Sequence, residues 1–259
     1  MIRRIHAIFV LAAAVATIVV ACGGSVPGPA LTDPTAIVTA ALKSTEAAKS
    51  VHLDVAIDGT ATVAIPLGGG TGTPVDLTGT TASANVDFAN KAAKATFSVA
   101  KFGIAGEVIA VGGKTYIKTT LTGPLYQESA AGSIPVDPTD ASGMIDILGD
   151  LLLKPGVTLV KGEDVACGSK QCYTVTANLT AEQLGLPAGG IAGLPVDLNG
   201  AALELTVRVE KDLPYHLAGV TAVLSMANAT SLEVELTASK WDEPVTIEPP
   251  PADQVKPAS

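Results

Sequence analysis

From Val51 onward, apolar and polar residues alternate along the chain. In VHLDVAIDG, Val51, Leu53, Val55 and Ile57 are interleaved with His52, Asp54 and Asp58, the two-residue period of a strand with one dry and one wet face. ATVAIPLGGGTGTPVDL continues the strand, breaks at the glycine-rich stretch 66–74 and returns. GTTASANVDF alternates through Ala82, Ala84, Val86 and Phe88, and NKAAKATFSVA sets Ala95, Phe97 and Val99 on one face. IAGEVIAVGGKTYIKT predicts two strands joined at Gly112-Gly113, a pair suited to a tight hairpin. VTLVKGEDVA, CYTVTANL, AALELTVRVEK, YHLAGVTAVLSM and SLEVELTASKW extend the pattern towards the C-terminus.

Two segments switch to a helical period. Residues 34–50 read as a helix capped by Asp33, with Pro34 in its first turn and Ile37, Ala41, Leu42 and Ala48 near one face. PTDASGMIDILGDLLL places Met144, Ile147, Leu148, Leu151 and Leu152 on one stripe and ends at Pro155-Gly156. TAEQLGL offers a short helix in which Thr180 and Gln183 match a capping box. GGSVPGPALTDP has no period and reads as a flexible tether, while EPVTIEPPPADQVKPAS finishes an edge strand and passes into a proline-rich disordered tail. The fold class is therefore α+β, a long curved antiparallel sheet with helices laid across its dry face. One domain is expected over residues 34–248, between a signal at 1–21 and a tether at 22–33 on one side and a tail at 249–259 on the other.

The N-terminus changes the compartment. MIRRIH is basic, and the apolar run from Ala7 to Val20 is short for a bilayer span but suits a secretion signal. Val19, Val20 and Ala21 ahead of Cys22 resemble the lipobox of bacterial lipoproteins, in which the signal is cut before a cysteine that takes a diacylglyceryl group. The alternative is an ordinary secretion signal with an incidental cysteine. Of three cysteines, lipidation of Cys22 leaves Cys167 and Cys172 as an even pair around GSKQ. They suit a disulfide at a hairpin tip, contributing about 2 kcal/mol on the chain-entropy model. A redox or metal pair is the rival, although CxxxxC is not the CxxC of thiol oxidoreductases and no histidine stands nearby.

The formal charge of −9 becomes −11 when Arg3 and Arg4 leave with the signal. That excludes a nucleic-acid partner, which needs a basic surface, and leaves an N-terminal acyl anchor to hold the chain on the extracytoplasmic face of the cell membrane, with some of it secreted. No G-x-S-x-G, H-E-x-x-H or phosphate loop occurs. His6 leaves with the signal, and His52 and His216 read as solvent-facing strand residues. Four Phe, four Tyr and one Trp leave few platforms for a carboxylate pair working on sugars. Asn178 and Asn228 fit N-x-[ST], a tripeptide common by chance. No catalytic residue, metal ligand or cofactor is expected. The dry faces are rich in small aliphatic residues, which by composition alone favours a packed core over unfilled volume.

Several segments together resemble the LppX, LprA, LprF and LprG family of mycobacterial lipoproteins: ALKSTEAAKSVHLDV, IAGEVIAVGGKTYIK, MIDILGDLL and LTASKWDEPVTIEPPP, in that order over nearly all of residues 22–251. The resemblance implies a half-open β-barrel related to the LolA and LolB carriers. Its helices would close an apolar cavity that holds acyl chains of triacylated glycolipids or other lipids, with a membrane lipid transporter as a further partner. It reverses the reading of the dry faces. By position, Ala95, Phe97 and Val99 match the family strand bordering the cavity; Val55, Ile57, Val108, Leu205 and Val207 follow from alternation and strand placement. The Cys167–Cys172 pair and the 66–74 segment depart from the family pattern. The expected role is a lipid carrier of the envelope; the rivals are a structural or sensory lipoprotein acting through protein contacts and, least favoured, a hydrolase.

Overall fold

The computed structural model describes residues 26–63, 73–130, 141–180, 182–184, 201–225 and 231–256 of the 259. The described helices are α1 (Pro34–Glu46) and α2 (Ala141–Leu152). The strands of the first half are β1 (Val26–Pro27), β2 (Ser50–Val63), β3 (Thr73–Asp76), β4 (Thr80–Asp87), β5 (Ala92–Val99), β6 (Ile104–Val111), β7 (Lys114–Thr119) and β8 (Gln127–Ala130). Those of the second half are β9 (Leu159–Lys161), β10 (Val165–Cys167), β11 (Lys170–Thr180), β12 (Ala202–Glu210), β13 (Asp212–Leu213), β14 (Leu217–Ser225) and β15 (Ser231–Ser239). The main sheet runs β10-β11-β12-β14-β15-β2-β4-β5-β6-β7-β8, with β3 beside β2 and β9 beside β11, and β1 pairs β13 separately. Among the described residues every strand pairing is antiparallel, and the sheet stays open between β10 and β8.

Local chemistry explains the helix and hairpin ends. The Asp33 carboxylate accepts from Thr35 N at 3.1 Å and Pro34 opens α1, satisfying donors that a helix start leaves free. The helix stops at Glu46 rather than Ser50, because Ser50 is already paired to Asp87 in β2. Gly112 and Gly113 both hold positive φ, 60° and 73°, the conformation that a two-residue hairpin requires. Thr180 and Gln183 form the reciprocal capping pair, but residues 182–184 make a turn. Residues 66–72 of the glycine-rich stretch, Met144's side chain and the end of TAEQLGL lie outside the described residues.

The main core sits where α1 crosses the concave face of β11 and β12. Ile37, Val38 and Ala41 are buried against Val175, Ala177, Val207 and Val209, and Leu152 of α2 closes the cluster. A second cluster joins Val51, Val86, Ala93 and Ala238, with Phe88 and Trp241 against it. Both lie on the face the alternation marks as dry. On the opposite face, Ile109, Tyr116 and Tyr126 pack with Ile247 and Val255.

The termini differ from expectation. The tether is free for less of its length than 22–33, since Val26 and Pro27 pair with Leu213 and Asp212. Gly28 N donates to Lys211 O, the Tyr215 hydroxyl donates to Pro29 O at 2.8 Å, and Leu31 N donates to the Tyr173 hydroxyl at 3.0 Å. Gly28 lies flush against the Tyr215 ring, with no room for a Cβ. The tail, expected as disorder from 249, is placed through residue 256. Pro250 is buried, Tyr126 N donates to Gln254 O, and Lys256 N donates to Tyr126 O, both at 2.8 Å. No edge strand forms over residues 243–251. The segment is held instead by Ile247 and Val255 packed against Ile109, Tyr116 and Tyr126 and by the two hydrogen bonds to Tyr126.

The histidines also differ. His52 does lie on the polar face, but its Nδ1 donates to Asn85 Oδ1 at 2.8 Å and its Nε2 stands 3.2 Å from Asp54. His216 is buried and stacked on Trp241, with ring centroids 5.0 Å apart. Its ring nitrogens lie 3.9 Å from Glu210 and 3.8 Å from Asp242, and Nε2 has no hydrogen-bond partner among the described residues. Burial pushes the imidazole below its ordinary pKa of 6.5, against the upward pull of Glu210 and Asp242 and with a downward push from Lys170.

Two outcomes follow for stability. Leu152→Ala should cost about 2–5 kcal/mol, the range for opening a cavity in a closed core, read from urea unfolding. A histidine with a depressed folded-state pKa binds its proton more readily when unfolded. Its contribution is therefore present above about pH 6.5 and lost as pH falls. His216→Phe, which keeps the stack on Trp241, should flatten the dependence of the urea midpoint on pH between about pH 7.5 and 5.

Candidate functional site

The helices roof only part of the concave face. Beneath α1 and the exposed end of α2 lies a cavity of about 300 Å³. Its floor is Leu53, Val207, Val220, Val234 and Leu236, its roof Val38, Leu42 and Leu148, and its end wall Phe88 and Trp241. The polar atoms along it are already engaged. The Thr45 hydroxyl donates to Ala41 O at 2.9 Å, and the Trp241 indole N–H donates to Leu217 O at 2.9 Å. A lining with no free donor or acceptor offers water nothing and hydrocarbon everything.

The cavity floor continues beyond the helices as cross-strand rows. Val207, Val220, Leu236, Val55, Ala82, Phe97 and Gly106 are successive partners across seven strands. Leu205, Ala222, Val234, Ile57, Thr80, Val99 and Ile104 form the neighbouring row. Leu53, Ala84, Ala95, Val108 and Ile117 form a third. At about 4.8 Å between strands the seven-strand rows are about 29 Å long. The Phe97 ring lies flat over Gly106, where a Cβ would stand 2.5 Å from its Cζ, so one aromatic covers the gap that glycine leaves.

The predicted positions thus share a face but not an environment. Val207 lines the roofed cavity, while Leu205, only 3% exposed, is held in the core under α1 and does not line it. Val55, Ile57, Ala95, Phe97, Val99 and Val108 lie half-buried on the continuation of the floor. Sequence reasoning missed Val38, Leu42, Leu53, Phe88 and Trp241 as lining. Leu53 was in the same alternation as Val55, but nothing in the period says where the roof ends. Cys167 and Cys172 are disulfide-bonded at the β10–β11 tip, with Cα atoms 5.9 Å apart. Cys22 lies outside the described residues.

Larger hollows occur on the other face and have a different character. One of about 540 Å³ runs over Asp54, Thr81, Ser83, Thr96, Ser98 and Glu235 and is bordered also by the predicted Val55 and Phe97; another of about 750 Å³ lies by Lys170, Arg208, His216 and Trp241. Arg208 lies flat across Gly219 to reach Glu235 at 2.7 Å. Further along, burial pushes the Glu107 carboxyl up, but Lys94 at 2.8 Å, the Tyr126 hydroxyl and Lys118 outweigh it and hold it below the usual range. Among the described residues no three His, Cys, Asp or Glu side chains converge as metal ligands would. No described hydroxyl or thiol hydrogen-bonds to His216, so its carboxylate neighbours do not make a nucleophile-activating triad.

No described helix is long and apolar enough to cross a membrane. The LppX_LprAFG lipoprotein family model matches residues 33–247. Among solved structures the chain is similar to LprF from Mycobacterium bovis, with 19% identity and a TM-score of 0.56 over 88% of this chain and 99% of that one. It is also similar to the lipoprotein LppX from Mycobacterium tuberculosis, with 22% identity and a TM-score of 0.49 over 84% of this chain and 100% of that one. A LolA superfamily protein from Nitrosomonas europaea aligns at 10% identity and a TM-score of 0.28, over 87% and 99% of the two chains. No curated protein sequence matches. The family match runs from the cap of α1 to Ile247, far more than half of the sequence, and the chain belongs to the LppX_LprAFG lipoprotein family.

Proposed function

We propose that this lipoprotein binds acyl lipids or glycolipids on its concave face and carries them across the cell envelope, anchored to the extracytoplasmic face of the membrane through a lipidated Cys22. It acts as a carrier rather than an enzyme and requires no cofactor. A membrane lipid transporter is its natural counterpart for loading or unloading.

The observation that carries this reading is the dry cavity under α1 and α2, continuous with half-buried apolar rows about 29 Å long. A leaflet's share of the hydrocarbon core is about 15 Å, so an extended tail fits along such a row. Moving about fifteen methylenes through water costs about 12 kcal/mol at 0.8 each. A shelter of Val, Leu, Ala and Phe removes most of that penalty without covalent chemistry. Dispersion contacts with these side chains, among which the Thr80 hydroxyl is the one polar group of the three rows, keep the tail releasable.

Native mass spectrometry of the detergent-free protein is expected to find co-purified acyl lipid; consistently empty spectra would count against carriage and favour a role through protein contacts. Ala95 is half-buried in the third row, where a bulky ring has somewhere to go. Ala95→Trp should therefore reduce co-purified lipid several-fold while leaving the thermal unfolding midpoint close to that of the parent.

A further inference from the structure

We propose that the sheet end formed by residues 26–29, 211–216, 240–243 and 88–91 rests on the membrane surface, with Val26 and Leu213 in contact with lipid. The proposal rests on the anchoring of Cys22 and specifies which surface that anchor brings down.

Chain length sets the geometry. Were residues 22–33 all free, the anchor could stand about 42 Å from α1 at full extension, and any side of the protein could meet the bilayer. The chain is instead tied to the body from Val26, by the β1–β13 pairing, by Gly28 N to Lys211 O, and by the Tyr215 hydroxyl to Pro29 O. Four Cα–Cα steps separate Cys22 from Val26, a reach of about 14 Å. A tether so short holds this end at high effective concentration against the surface and keeps the opposite end away.

The surface it presents suits a lipid contact. Val26 and Leu213 are directly paired and 62% and 46% exposed, an apolar step at the tip nearest the anchor. The charges around it are mixed, Lys211 being bonded to Asp164 at 2.6 Å, with Asp212 next to it in the chain and Lys240 and Asp242 on the 240–243 turn. The contact is therefore driven by the tether and the apolar pair rather than by charge.

The walled end of the dry cavity lies at the same end. His216 follows the tip and stacks on Trp241; Asp242 accepts from Lys49 N at 2.7 Å; Lys49 O accepts from Phe88 N at 2.8 Å. Trp241 and Phe88, both half-buried, are the end wall of the dry cavity.

The test is photocrosslinking of the full-length lipoprotein in vesicles of equal parts phosphatidylcholine and phosphatidylglycerol. The variants are Leu213→benzoylphenylalanine and Leu121→benzoylphenylalanine. Leu121 is 75% exposed at the opposite end of the sheet, beside Gly103 and Thr120, and neither position lines the cavity. Phospholipid adducts should form at 213 and be absent at 121. Inserting a Gly-Ser linker of about ten residues after Ser25, which adds about 35 Å of reach, should bring adducts to both. Adducts at 121 with the natural spacing, or at neither position in protein that floats with vesicles, overturn the proposal. A mature N-terminal peptide without the acyl mass on Cys22 overturns the anchoring premise and the orientation together. Lipid carriage is read separately, by the lipid that co-purifies.

Discussion

The structure depends on a mismatch, among the described residues, between a long apolar face and the two α-helices that cover it. The two-residue period turns the aliphatic residues of β2, β4, β5, β6, β12, β14 and β15 to one side. Burying that side on the helix α1 is possible only where α1 reaches, over β11, β12 and part of β14. There Ile37, Val38 and Ala41 close against Val175 and Val207 as tightly as any domain core. Beyond α1 the same kind of surface is left half-buried at Val55, Ile57, Ala95, Phe97, Val99 and Val108. One sheet thus carries both the packed region that stabilises it and the open region suited to a ligand.

The other face manages the remaining liabilities. Ion pairs such as Arg208–Glu235, Lys94–Glu107 and Lys114–Glu128 are partly exposed, and each is worth about 0–1 kcal/mol. Their use is to keep a broad sheet soluble and its register defined. The two open edges are protected differently. β8 presents Gln127 and Glu128, while β10 is a three-residue strand folded back by the Cys167–Cys172 bond, and short or polar edges resist pairing with other chains. The tail, by covering Ile109 and Tyr116, hides an apolar patch that alternation alone would have left facing water.

Tyrosines 215 and 173 connect the N-terminus to this framework. Tyr215 takes a positive φ of 65°, a conformation costly for a non-glycine residue. Its ring covers Gly28, its hydroxyl holds Pro29 and its carbonyl accepts from Ser44 at 2.9 Å. These contacts convert a composition that reads as a flexible linker into an extension of the body, and so fix which end of the sheet the N-terminus leaves from.

Alternation by itself determined the longer strands, their dry side and the α+β class, because a strand's side-chain direction is a local property of its backbone; it did not determine β1, β8 or β13. The caps at Asp33 and Thr180 and the hairpin at Gly112-Gly113 were equally local. Family resemblance turned the dry side into an expected cavity and pointed to Ala95, Phe97 and Val99, while alternation and strand placement added Val55, Ile57, Val108, Leu205 and Val207; the pairing register puts all eight on one face. Tertiary structure decided what depends on distant partners: that α1 seals Leu205 but not Val55, that Trp241 and Phe88 end the cavity, that His216 is buried, and that residues 26–31 and 249–256 are held. Each of these is set by contacts between segments far apart in the chain, and no period of two or 3.6 residues carries that information.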